Sequence, residues 1–339
     1  MQSSDTRPSN GAEMCQKIVE IIATSSSFGH LPALRMLCPR AFISDEAITA
    51  GKSPAWIEVV AVLSKLIGAL LRATLVVVVV ATPSLLIPGT TEESAQMVTL
   101  IALALGAFTA IEYGAAFPAL IEFRDAPPFN RVRILSLLIV LVVLSLVAGG
   151  GAPTSLILVL NALGLLIGHA LEFPWSPMSV VLAHLPANAP PVSALQVKVM
   201  AGLAIFTTLA ALVVFALLLR LQHWPNRGQP FNVWVNLPTF DPTTGGDVVT
   251  RLIRDARVNI ILGLTTTFIL PVVGLKIADH FDLQLLTSPQ AMVWGIALWM
   301  FLPLSMFMRG LAMARIADMI RERRARLVAT VVADTPLRA

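Results

Sequence analysis

The run RATLVVVVVATPSLLIP, Arg72 to Pro88, decides how the rest of the chain is read. Nothing between Ala73 and Pro88 is charged, and Leu75 to Ala81 is unbroken apolar sequence. A membrane helix needs ~20 mostly apolar residues, and lipid admits only segments whose backbone groups bond among themselves. This run therefore reads as the first membrane span. An amphipathic lead-in precedes it. Ser53 is placed to cap a helix, and Pro54 suits its first position. Glu58, Lys65 and Arg72 recur every seven residues and so share one face, with Trp56 at the interface. The lead-in is expected to lie along the inner surface and then turn into the membrane.

Six further stretches follow the same rule: Met97 to Leu120, Ile134 to Ala148, Ser155 to Leu171, Met200 to Leu219, Ile260 to Leu275 and Ala291 to Met308. The last continues into a basic helix. The expected fold is thus an all-α polytopic membrane helix bundle with about seven hydrophobic spans. Its divisions are a polar N-terminal segment (1–53), a helical membrane domain (54–308) and a basic amphipathic helix with its tail (309–339). Composition agrees over the full 339 residues, which are 56% hydrophobic and 13% charged. The mean hydropathy is +0.79. Soluble domains carry about a quarter charged residues, so a soluble enzyme, a disordered protein and a disulfide scaffold are excluded. Cys15 and Cys38 lack metal-ligand spacing and read as ordinary thiols. The opening residues hold Asp5 and Glu13 and no adequate apolar core, so a cleaved signal peptide is not expected, and Met36 is an alternative start.

Charge sets the orientation and exposes a conflict. The net charge is +4. The connections 89–96 and 149–154 carry no Lys or Arg, whereas Arg124, Arg131 and Arg133 lie between spans two and three. Basic loops stay in the cytoplasm, which puts the N-terminus inside. Seven crossings would then place the C-terminus outside, against the arginines that follow Met308. Proline-bracketed Met178 to Leu185 is the place where a re-entrant element would reverse the sense. Six or eight crossings with both ends inside is the preferred reading. The basic balance needs no nucleic acid, since no nucleic-acid module is present. Arginine greatly outnumbers lysine, a composition compatible with a GC-rich bacterial genome, and the expected location is the bacterial cytoplasmic membrane.

Within the spans, Ala102, Gly106, Ala110 and Gly114 recur every four residues, and Asn161, Gly164 and Gly168 share a face with Glu172. Small residues at this spacing let helix backbones approach closely, so spans two and four are expected to pair. Ionisable residues inside a span are costly and are functional candidates by default. Glu112 points away from the small-residue ladder and must face another helix or a wet cavity. With Tyr113, His169 and Glu172 it forms the transport or buried-charge set. Gathering Glu112, Glu122, His169 and Glu172 into a metal site is disfavoured, because Glu112 and Glu172 fall on different sides of the expected contact. Glu122 and Glu172 are expected to pair near the interface with Arg124 or Arg131. The dipeptide Glu-Phe ends spans two and four, a weak hint of an internal repeat. Pro118, Pro271 and Pro303 interrupt spans.

Outside the spans, Trp224 to Pro242 is aromatic, amide-rich and proline-rich. Trp224, Phe231, Trp234, Asn236 and Phe240 are its candidates for holding a partner or ligand. Asp247 is placed to cap a short amphipathic helix in which Arg251, Arg254 and Arg257 recur every three residues. In the C-terminal helix Leu311, Ile316, Met319 and Ile320 alternate with arginines, and Arg321, Arg323, Arg324 and Arg326 are expected on anionic lipid. No Walker loop, dinucleotide fingerprint or zinc-protease motif occurs, so no cofactor and no metal is expected. Three functions follow in order: a non-catalytic accessory or assembly component of a membrane complex; a small transporter or channel coupled to a proton or cation through Glu112; and a membrane-embedded lipid or isoprenoid enzyme. The expected partners are the lipid bilayer and other membrane subunits.

Overall fold

Capping chemistry marks where several helices begin. Thr91, Thr154, Ser176 and Asp247 each accept a hydrogen bond from the backbone N–H three residues on. Glu92 and Glu93 fall in the first turn of their helix, where the macrodipole favours negative charge. The computed structural model describes residues 55–115, 120–150, 154–185, 191–221, 224, 236–241, 243, 245–283, 285–286 and 288–334. Ser53, Pro54, Cys15, Cys38, Pro118, Phe231 and Trp234 lie outside them.

Among the described residues the chain is all-α, with eight helices and no strand. They are α1 (Ala55–Leu86), α2 (Glu92–Gly114), α3 (Phe129–Ala148), α4 (Ser155–Ala170), α5 (Pro177–Ala183), α6 (Pro191–Leu221), α7 (Val248–His280) and α8 (Pro289–Asp334). By its contacts the chain divides between residues 71 and 72. The packing below is that of the second unit.

Six helices are long and apolar enough to cross a membrane: α1, α2, α3, α6, α7 and α8. The chain is a multi-pass membrane protein. The expected fourth span is instead the 16-residue α4. At 1.5 Å per residue it is ~24 Å long, short of the ~30 Å hydrocarbon core. Several expected boundaries move as well. The lead-in and first span are one helix, α1, with Pro83 inside it. The amphipathic helix after Asp247 does not stop but continues through Pro271 to His280 as α7. The second span ends at Gly114, six residues before the expected Leu120.

Two buried clusters mark the ends of the bundle. One gathers Ile87, Ala148, Met178, Val197, Leu275 and Met292. At this end the Gln290 side-chain amide also donates to Ser84 Oγ at 2.6 Å. The other cluster joins Phe123, Phe129, Phe215, Leu237, Leu252 and Met308. This second end carries most of the arginines. α3 finishes at the opposite end with Ala148, and α6 starts there with Val197. The α4–α5 segment therefore leaves and returns on one side. The six long apolar helices alternate in direction, with α2, α6 and α8 all running toward the arginine-rich end. Without α4 as a full span, the conflict between the charge pattern and the number of spans does not arise.

The expected pairing of spans two and four does not occur. A Cβ at Gly106 would lie 2.7 Å from Val77 Cγ2, so the α2 ladder packs on α1. A Cβ at Gly114 would meet nothing within 4 Å. The α4 glycines pack on α6 instead. A Cβ at Gly164 would fall 2.5 Å from the Val199 carbonyl oxygen, and one at Gly168 would fall 2.5 Å from that of Lys198. Gly202 completes this seam against Gly164 and Gly168. Each small-residue face has its own partner because α2 and α4 never come alongside. The α7–α8 pair is antiparallel: Gly263 packs on Phe307, and Gly310 on Ile260 and Ala256.

Candidate functional site

The densest polar assembly lies at the arginine-rich end, where the α2–α3 connection, the segment before α7 and the middle of α8 meet. It grows from Glu122. Its carboxylate accepts from Arg309 Nε at 2.6 Å and Nη2 at 2.8 Å, and from the Thr239 hydroxyl at 2.7 Å. Arg309 Nη1 donates to Asn259 Oδ1 at 3.1 Å, and Asn259 Nδ2 donates back to the Asp255 carbonyl. The Glu122 carbonyl accepts from Asn130 Nδ2. The Glu122 side chain is 12% exposed and that of Arg309 30%. A bidentate guanidinium–carboxylate pair with these further bonds is strong and geometrically specific. Sequence reasoning paired Glu122 with Arg124 or Arg131; the fold gives it Arg309, 187 residues away in sequence.

Glu112 sits one turn from the end of α2 and is buried. Because α2 stops at Gly114, the chain folds back, and one carboxylate oxygen accepts from the backbone N–H groups of Leu120 and Ile121, at 3.1 and 3.3 Å. Arg124 completes the cap: its Nη1 donates to the carbonyls of Glu112 and Ala115 at the helix end. Neighbouring Tyr113 lies under the Arg72 guanidinium, 4.7 Å from ring centre to Cζ. Arg133 stands in α3, its guanidinium 5.8 Å from the Phe129 ring and 5.9 Å from that of Phe301.

The apolar floor is aromatic. Phe123 and Phe129 have ring centroids 4.4 Å apart, Phe123 and Trp224 5.8 Å, and Phe129 and Phe215 5.7 Å. Phe123 holds φ at +53°, a left-handed backbone that bulky residues seldom adopt. Its fully buried ring and its N–H bond to the Asn236 carbonyl fix it there. Trp224 Nε1 donates to the Ala126 carbonyl, and the Trp224 carbonyl accepts from Arg315 Nε. Asn236 Oδ1 accepts from the Asp125 N–H. The Arg251 guanidinium covers the Phe240 ring at 4.7 Å. Trp224, Asn236 and Phe240, expected to meet a partner or ligand, are thus buried against their own chain.

His169 and Glu172 lie at the other end. Glu172 accepts from Lys198 Nζ at 2.7 Å, with His169 Nδ1 at 3.6 Å. The Lys198 hydrogen bond, and then its charge, hold the Glu172 carboxyl below the usual glutamate range. Glu112 and Glu122 are therefore separated from His169 and Glu172 by the length of the bundle. Asn161 is half-buried on α4.

In the C-terminal helix the apolar side chains turn inward. Ile316 and Met319 are buried, and Leu311 and Ile320 pack beside them in the same core. The α7–α8 contact continues past the apolar part of both helices, which takes that face away from lipid. Arg324 is 2.6 Å from Asp247, Arg321 is 3.8 Å from Asp318, and Arg323 and Arg326 are exposed. The chain matches no protein-family model, no curated protein and no solved structure. Arg309, Thr239, Asn259 and Arg315 escaped the sequence reading. The one local signal was that Arg309 ends an uncharged run and would be expensive there unless paired.

Proposed function

We propose that this protein is a non-catalytic component of an assembly in the bacterial cytoplasmic membrane, with both ends of its membrane domain in the cytoplasm. The orientation rests on the positive-inside rule, since Arg124, Arg131, Arg251, Arg254, Arg257 and the α8 arginines share one end.

One observation carries the assembly reading: α2 is bound to the rest of the fold by a single narrow stripe. Of its 23 residues, only Ala102, Gly106, Thr109 and Glu112 are buried. Met97, Leu100, Leu103 and Ile111 are among the many left exposed. Tilt and rotation of a membrane helix are set by packing against neighbouring helices. Little of that packing comes from the described residues of this chain, and α8 differs sharply, with half of its most apolar window buried. A neighbouring subunit would supply what α2 lacks.

The coupling alternative has less support. Glu112 accepts two backbone hydrogen bonds and shapes a turn, which suits a structural carboxylate. Native electrophoresis of gently solubilised membranes, with the protein tagged at its C-terminus, tests the proposal. A discrete larger species containing other chains is expected. A lone monomer or homo-oligomer would defeat the assembly reading.

A further inference from the structure

A groove of about 460 Å³ lies between α7 and the basic part of α8. Its lining includes Thr250, Arg254, Arg257, Val258 and Ile261 from α7, and Arg321 from α8. Thr250, Arg254, Arg257 and Ile261 fall at intervals of three or four, and Val258, four on from Arg254, lies beside them, so they share one helix face. The groove crosses a boundary of polarity. α7 has no charged residue from Val258 to Leu275, and α8 none from Pro289 to Met308. One end is therefore apolar, with Val258 46% and Ile261 62% exposed, and the other holds three guanidinium groups.

That charge is poorly compensated. Arg254 donates through Nε and Nη2 to one oxygen of Asp255 at 3.4 and 3.5 Å, and Arg321 Nη1 is 3.8 Å from Asp318, all longer than a strong charge-assisted hydrogen bond. Among the described residues Arg257 makes no hydrogen bond or ion pair. Arg254 and Arg257, one turn apart, repel each other. No carboxylate lines the groove. We infer that it holds an anionic glycerophospholipid. The headgroup phosphate would accept from Arg254 and Arg257, the Thr250 hydroxyl and Arg321 would face the outer part of the headgroup, and the first acyl carbons would lie on Val258 and Ile261. Guanidinium groups present forked N–H donors suited to phosphate. A free phosphate would satisfy the arginines and leave the apolar half uncovered; the continuity of charge and hydrocarbon surface is what selects the lipid. Basic pockets beside membrane helices on the cytoplasmic side take such headgroups.

The test is retention of lipid by the full chain. Protein reconstituted in vesicles of equimolar phosphatidylcholine and phosphatidylglycerol is extracted into mild detergent, and bound lipid is identified by native mass spectrometry. Wild type is expected to keep phosphatidylglycerol in preference to phosphatidylcholine. R254Q/R257Q is expected to retain about thirtyfold less, since each of the two interfacial charges contributes ~1 kcal/mol to binding anionic lipid and ~1.4 kcal/mol is tenfold. R323Q/R326Q, which removes the same charge elsewhere on the basic end, is expected to keep it. Equal retention by R254Q/R257Q and wild type would overturn the site, as would equal loss in R323Q/R326Q. Inorganic phosphate that raises the unfolding temperature of delipidated protein as much as phosphatidylglycerol does would assign the groove to a free anion and overturn the lipid. Should R254Q/R257Q fail to fold, the exposed R257Q alone gives the same comparison.

Discussion

Replacing Gly168 by alanine tests one of the close backbone contacts in the seam between α4 and α6. The added methyl would lie 2.5 Å from the Lys198 carbonyl oxygen and 2.9 Å from its carbon. Ordinary contact begins near 3.4 Å, so α4 and α6 must separate by about 0.9 Å. A gap of that size forfeits roughly a quarter to a half of the dispersion at each contact it opens. The obstacle is backbone and cannot swing aside. Overpacking of this kind costs ~1–3 kcal/mol, while alanine regains ~1 kcal/mol of helix propensity over glycine. A net loss of up to about 2 kcal/mol follows. Lys198 also carries the ion pair to Glu172, which would be stretched. The assay is reversible unfolding in mixed micelles, with G114A alongside, because a methyl at Gly114 meets nothing within 4 Å. G168A is expected to unfold at lower denaturant than wild type, and G114A at the same or higher. If G168A is as stable as G114A, the seam is not close-packed and the account of α4 fails.

Glu112→Gln is expected to keep the acceptor for Leu120 and Ile121 and to leave their amide exchange slow. Glu112→Ala takes this acceptor from two part-buried N–H groups, at up to ~1–3 kcal/mol each, and should speed exchange through residues 120–124. A double-mutant cycle with E122Q and R309M should give a coupling of about 1–3 kcal/mol, because the pair is bidentate and mostly buried; additive effects would contradict that geometry. Asp247 accepts from Arg324 and from the Thr250 N–H, and these bonds, the arginine's first, hold its carboxyl below the usual aspartate range. Since the folded value is depressed, the contribution is complete above the ordinary aspartate value of about 3.9 and is lost as pH falls through the lower folded value. Amide exchange around Arg324 should therefore rise only under strongly acid conditions and should rise at neutral pH in D247N.

Helix identity was legible because it rests on local rules. Uncharged runs such as Leu75 to Ala81 and the side chain of Asp247 act on their own neighbours in sequence, so the spans and one cap could be read directly. Boundaries were less so. Glu112 seemed to need a distant partner only while α2 was taken to run through Leu120; the chain reversal after Gly114 has no periodic signature. The Gly164 and Gly168 face was visible, but nothing in α4 names α6 as the element against it.

The sequence by itself therefore determined that this chain lives in a bilayer, that it is helical and that its arginines gather outside the apolar spans, because hydrophobicity, hydrogen-bond closure within helices and charge placement act over one to twenty residues. Only the tertiary structure decided that α4 leaves the crossing count at six, that Trp224, Asn236 and Phe240 turn inward, and that Arg309 belongs to Glu122. The inward turn of Trp224 and the Arg309 pair depend on which surfaces meet between residues 98 and 187 apart in the chain. Close packing selects that match by shape, and no spacing along a single helix records it.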